Sequence, residues 1–301
     1  MRWPHLSRRQ PCLGVAIDPT TVKAAVYRSR ELITATVPVP PAGQHEPQAL
    51  VAALSEAASR TGWRGRKAVT AVTGERVVIR YLRLPQMTAA ELQAGMAYEL
   101  ENYLPTGARD MVVDWTILGN GSGPNSNQMD VLLAAAPRDQ VTQLIDLFRG
   151  AGLELAAVDL VPLALCRSLA GEIAAATAIL DIGDQWSHLV LARPDRPLFS
   201  RVLAFKREEL ARPGIAGNNP LADLTQEIRR SLDFYRSQGE AGFNPEGLLL
   251  TGEGTVIEGL ANFCQEELGV PALIGRPGLP GRPVEPELAI AAGLALREIG
   301  I

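Results

Sequence analysis

At 301 residues, 47% hydrophobic and 21% charged, the chain has the make-up of an ordinary globular protein with one large or two moderate domains. A formal net charge of −4 excludes the basic footprint of a nucleic-acid binder. The scattered Cys12, Cys166 and Cys264 and the isolated His5, His45 and His188 exclude a disulfide framework, a zinc site and a histidine metal cluster.

The first residues carry Arg2, Arg8 and Arg9 beside Trp3, with no apolar core behind them. They read as a disordered basic terminus and not as a signal peptide. No apolar run later in the chain approaches the ~18 residues that span a bilayer. Over residues 12–37 apolar positions alternate, at Leu13, Val15 and Ile17 and again at Val22, Ala24 and Val26, as in the strands of a meander. Prolines at 38, 40 and 41 end that pattern; a helix is expected over 47–59 and a buried strand over 69–72.

Residues 77–152 make a self-contained β-α-β-β-α pattern. Its first strand, 77–84, stops at Pro85. Thr88 and Glu91 are spaced as a capping box, and Leu92, Met96, Leu100 and Tyr103 follow at helical spacing up to Pro105. Strands over 111–118 and 129–136 flank a glycine-rich hairpin loop, and residues 138–150 form an amphipathic helix ending near Gly150 and Gly152.

A strand at 154–159 and a helix at 162–172 lead into a restart of the opening theme, with strands at 177–182, 187–192 and 198–204. A loop over 213–220, a long helix over 221–237, a strand at 248–250 and a helix over 256–268 follow. A Pro/Gly-rich stretch, 275–286, precedes a last helix at 287–299. Two halves that each open with a three-strand meander and continue in strand-helix units point to a duplicated α/β fold.

Three turns carry the chemistry. Asp181-Ile182-Gly183-Asp184 joins two strands: its carboxylate suits a hydrated magnesium ion, and its glycine lets backbone approach a phosphate. The same residues also suit a plain hairpin. Thr251-Gly252-Glu253-Gly254 lies between strand and helix, where exposed amides would face an anion or simply close a tight connection. Near the N-terminus, 14–23 repeats the strand-turn-strand theme and brings Thr20, Thr21 and Lys23 to the turn. Glu227 and Arg230 sit one turn apart beside the apolar stripe Ile228, Leu232 and Tyr235; alone they are a surface ion pair.

In this order the elements resemble the type IV pilus assembly protein PilM family, cytoplasmic relatives of the bacterial actin-like ATPases. The similar stretches are 84–105, 131–137, 151–164, 179–183, 227–235 and 248–254. The resemblance implies an α/β, actin-like (ribonuclease H-like) fold of duplicated lobes with an inserted small α+β subdomain. The first lobe would be 12–76 plus 153–175 plus 285–301, the insertion 77–152, and the second lobe 176–284 with a helical insertion at about 205–240. It further implies a scaffold at the pilus base, on the cytoplasmic face of the inner membrane and in contact with the bilayer only through a partner. That partner would be a PilN-like bitopic protein, its N-terminal cytoplasmic tail lying in a groove between the first subdomain and the insertion. Arg80, Leu82 and Leu84 would form one wall, open to strand addition, and Glu99, Asn102 and Tyr103 the other, with Glu91 and Gln93 on the same helix. For ATP with magnesium, the implied contacts are Thr20, Thr21, Lys23, Asp181 (on the metal side), Gly183, Glu227, Arg230, Gly252 and Gly254.

The sequence departs from that pattern at the nucleotide. Ungapped, the family's first phosphate loop would have aspartate at Ala16 and glycine at Asp18, and Pro19 removes a further amide. A carboxylate at Asp18 about 4 Å from a phosphate would cost roughly 4 kcal/mol, near a thousand-fold in affinity. A one-residue shift would instead make Asp18 the metal-side acid. Glu253 adds bulk where a small residue is expected. These departures resemble those of the mannose-sensitive haemagglutinin pilus protein MshI and the cytoplasmic half of the type II secretion L protein. The first reading is therefore a nucleotide-poor binding scaffold; the alternative is an ATP-binding, nucleotide-switched ATPase.

Overall fold

The computed structural model describes residues 11–40, 46–104, 110–120, 127–212, 214, 219–238 and 243–297, except the side chains of 97–102 and 120. The basic N-terminal run, most of the 119–125 hairpin loop and most of the 213–220 loop lie outside these residues. The chain packs as two units, one of 1–71 with 145–301, the other Val72–Leu144.

The larger unit holds two five-stranded sheets. The first contains β1 (Leu13–Ile17), β2 (Thr21–Arg28), β3 (Glu31–Pro38), β4 (Lys67–Val72) and β8 (Glu154–Leu160) in the order β3-β2-β1-β4-β8. The second contains β9 (Thr177–Ile182), β10 (Ser187–Arg193), β11 (Arg196–Leu203), β12 (Gly247–Thr251) and β13 (Ala272–Ile274) in the order β11-β10-β9-β12-β13. Both sheets repeat one plan: an antiparallel meander whose first strand also pairs in parallel with the fourth. The duplication read from the sequence is thus visible in the topology.

The central strands are buried on both faces, which explains their near-continuous apolar runs. In the first sheet α1 (Pro47–Arg60) lays Ala53, Leu54 and Ala57 against Leu13, Val15, Val22 and Ala24. In the second, α6 (Pro220–Ser237) and α7 (Leu260–Leu268) cover Leu180, Ile182, Leu189 and Leu250 with Ile228, Leu232 and Leu260. The other faces are covered by α4 (Val161–Ser168) and α8 (Ala289–Ala295). Their contact is built from small residues. A side chain on Gly293 would enter the Ala164 carbonyl, and one on Gly14 of β1 would enter the α8 backbone at Ala291 and Ala295. Buried Asp159 ties the ends together: its carboxylate accepts from the Leu160 amide, pairs with Arg167 and lies 3.5 Å from Arg297.

The smaller unit is a three-stranded antiparallel sheet, ordered β5 (Val78–Pro85), β7 (Gln128–Pro137), β6 (Met111–Asn120). Helix α2 (Ala89–Tyr103) packs Leu92 and Met96 onto Met129, Val131 and Leu133. The capping box forms as its spacing requires: the Thr88 amide donates to Glu91 at 2.7 Å and the Glu91 amide to Thr88 Oγ1 at 3.2 Å. The Thr88 amide, and with it the Thr88 hydroxyl at 2.8 Å, donate to the Glu91 carboxylate and hold it below its ordinary range. Helix α3 (Arg138–Gly150) begins in this unit and ends in the larger one.

Three sequence expectations are adjusted. The helix expected at 256–268 is a 3-10 turn at Glu253–Val256 followed by α7, because left-handed Gly259 (φ 75°) interrupts the chain. The helix expected at 162–172 ends at Ser168, and the last helix is a 3-10 turn, Pro286–Leu288, running into α8. Strand β13, three residues long, is too short to show any alternation.

Candidate functional site

The two meander turns face each other. In the first, the Asp18 amide donates to the Thr21 carbonyl at 2.9 Å, and Pro19 has no amide to offer. In the second, the Gly183 amide donates to the Trp186 carbonyl at 3.1 Å. Both turns therefore spend an apical donor on themselves. Across the gap the Thr20 hydroxyl donates to Asp184, which Arg207 also holds at 2.6 Å. Burial pulls the Asp184 carboxyl up, but these two donors outweigh it and the group sits below its ordinary range. The Thr21 hydroxyl is buried with no hydrogen-bond partner among the described residues.

Lys23 is the centre of the cleft. It lies on β2 opposite Ala16, only 2% exposed. A buried ammonium needs a counter-ion, and it has two: Asp18, at 3.2 Å, and Glu253 from the third turn, in direct ion-pair contact. Both carboxylates also converge on Gly183. A Cβ there would lie 3.9 Å from Glu253 Oε2 and 4.0 Å from Asp18 Oδ1.

Asp181, on β9, is 3% exposed and accepts from the Thr251 hydroxyl at 2.9 Å, its register partner on β12. Burial pushes its carboxyl up to about 6, against the lowering effect of Thr251 and Lys23. Gly252 (φ 80°) and Gly254 face inward: a Cβ on Gly252 would come 2.5 Å from the Ile182 carbonyl, and one on Gly254 would enter the Ile182 side chain. Their lack of side chains lets the third turn pack on the end of β9. Glu227 is held by Arg230 on α6 and by Arg201 of β11 at 3.4 Å. Among the described residues no hydrogen bond or ion pair joins this trio to Lys23.

As arranged, these residues do not fit a triphosphate with magnesium. The lysine is already neutralised, two carboxylates occupy the ground beside Gly183, and Asp181 is engaged by Thr251. Among the described residues no group of three or more His, Cys, Asp or Glu is arranged to hold a metal. Arg207 and the convergence of Asp18 with Glu253 on Lys23 escaped the sequence reading. The available signal was that both departures from the family pattern add an acid around one buried-strand lysine.

In the smaller unit, Arg80, Leu82 and Leu84 alternate along β5, with Leu82 and Leu84 packed at the margin of the α2-covered cluster together with Tyr103. β5 pairs only with β7 among the described residues and so is an edge strand of this sheet. The side chains of Glu99 and Asn102 lie outside the described residues.

The comparisons agree with this architecture. Residues 23–212 match the family described as type IV pilus assembly protein PilM. A structure of a PilM-PilN type IV pilus biogenesis complex is similar to 97% of this chain and 99% of that one, at 30% identity and a TM-score of 0.80. The cytoplasmic domain of EpsL, an inner membrane component of the Vibrio cholerae type II secretion system, is similar in fold (14% identity, 96% and 94% coverage, TM-score 0.52). So is a Bacteroides thetaiotaomicron protein with an actin-like ATPase fold and unknown function (12%, 95% and 96%, TM-score 0.50). Among the described residues no helix is long and apolar enough to cross a membrane. The fold is that of the actin-like ATPases, and the chain belongs to the PilM family of type IV pilus assembly proteins.

Proposed function

We propose that this chain is a scaffold of the type IV pilus assembly platform that holds the cytoplasmic N-terminal tail of a PilN-like inner-membrane protein. It would sit peripherally on the inner face of that membrane, reaching the bilayer through its partner and meeting other platform components. The observation that carries the reading is the end-to-end likeness to the PilM-PilN complex structure. The actin-like ATPase fold supports the second reading, an ATP- and magnesium-dependent switch using Thr20, Thr21, Lys23, Asp181, Gly183, Glu227, Arg230, Gly252 and Gly254. Against it stands the engagement of Lys23 by Asp18 and Glu253.

In the smaller unit, Val72–Leu144, the tail would lie along the edge of β5 that does not pair with β7. It would meet Arg80, Leu82 and Leu84 there and reach Glu99, Asn102 and Tyr103 of α2. An extended peptide gains backbone hydrogen bonds at such an edge, and side-chain contacts set its register. The test is fluorescence anisotropy with a labelled synthetic peptide of the organism's PilN-like tail. Tyr103→Ala and exposed Arg80→Glu are each expected to weaken binding about tenfold or more, with thermal melts within a few degrees of wild type. Unchanged affinity in both variants would remove β5 and α2 from the docking site.

A further inference from the structure

The actin-like fold implies an anion in the cleft, and the chain's own residues supply one. We propose that the Asp18 and Glu253 carboxylates occupy the position between Lys23 and Gly183 where phosphate oxygens would otherwise be received, with Lys23 as their shared counter-ion. The Lys23 charge is then already balanced by the chain's own acids, with one carboxylate charge in excess, and no nucleotide is needed to neutralise it.

Several independent features converge on this. Lys23 is almost wholly buried and both its partners are carboxylates from different turns, Asp18 after β1 and Glu253 after β12. Both carboxylates also lie near Gly183 of the second turn, about 4 Å from where its Cβ would stand, beside the Trp186 carbonyl that packs there at 2.8 Å. The Thr20–Asp184–Arg207 chain closes the gap a second time. The glycines of the third turn are occupied by Ile182 and so place Glu253 inward. A cation at the focus of two carboxylates has no charge left for a polyanion, and a polyanion entering there would meet two like charges in partly desolvated surroundings. The proposal concerns the cleft alone and holds whether or not the chain grips a membrane partner.

The experiment has two arms on the full chain, neither reading catalysis. In ligand-free thermal melts, Lys23→Met is expected to lower the midpoint by on the order of 10 °C, because it strands two carboxylates. Adding Glu253→Gln should recover about half of that loss, a coupling only contacting groups show. In calorimetric titration with inorganic tripolyphosphate and magnesium, Asp18→Gly with Glu253→Ala is expected to bind at least ~100-fold more tightly than wild type. Should that pair fold poorly, Asp18→Asn with Glu253→Gln carries the titration. A Lys23→Met chain that melts with wild type overturns the proposal. So does wild-type affinity for tripolyphosphate equal to that of the carboxylate-free variant.

Discussion

Gly293→Val is expected to abolish stable folding of the actin-like body, at a cost above ~4 kcal/mol, the range reserved for changes that the surroundings cannot absorb. The reason is geometric. α8 is rich in alanine (Ala289, Ala291, Ala292 and Ala295) with Gly293 at its crossing with α4, and a side chain there meets the Ala164 carbonyl, main chain that cannot rotate away. The added bulk must part α4 from α8, and α8 is also seated on β1 through Gly14, so the disturbance reaches both sheets. It would also displace the Gly293 carbonyl, which accepts from Arg167 at 2.6 Å. Urea denaturation followed by circular dichroism measures the effect. A midpoint near wild type would mean that the two helices do not touch.

Asp181→Asn is expected to do the opposite at neutral pH. The carboxyl rises from 3.8 to about 6 on folding because burial outweighs its hydrogen bond from Thr251 and the nearby Lys23 charge. The native state therefore keeps a proton that the unfolded chain has released between about pH 4 and pH 6. Stability contributed by this group is greatest below about pH 4 and is lost as pH rises through about 6, by at most roughly 3 kcal/mol. Asparagine keeps an acceptor for Thr251 and has no charge to desolvate. The variant should melt higher than wild type at pH 7 and with it near pH 4, and added magnesium should move neither curve. A lower melting temperature at pH 7 would show that the Asp181 charge is a net asset, as a metal ligand's would be.

Much of this architecture was legible because local patterns and global fold agree. Alternation at Leu13, Val15 and Ile17 marked β1, the repeated meander foretold two sheets of one order, and Thr88 with Glu91 formed the cap their spacing required. What escaped was set by tertiary contact. Three residues of β13 carry no periodicity, and the break at Gly259 lies inside an otherwise helical composition. The third turn is the instructive case. A glycine announces that something approaches closely but not what, and here Gly252 and Gly254 admit Ile182. Likewise Asp18 read as a flaw in a phosphate loop until Lys23 and Glu253 stood beside it: Lys23 is five residues away, but Glu253 comes from the far end of the chain and no local window holds all three.

A nucleotide-independent tether is tested most directly by the affinity of the PilN-like tail peptide for the intact chain, titrated with and without saturating ATP and magnesium. Two sites that share no conformational switch have no coupling free energy, so the dissociation constant should be the same within about twofold. A change of about tenfold or more, worth roughly 1.4 kcal/mol of coupling, would contradict the account and return the cleft to the role of a switch.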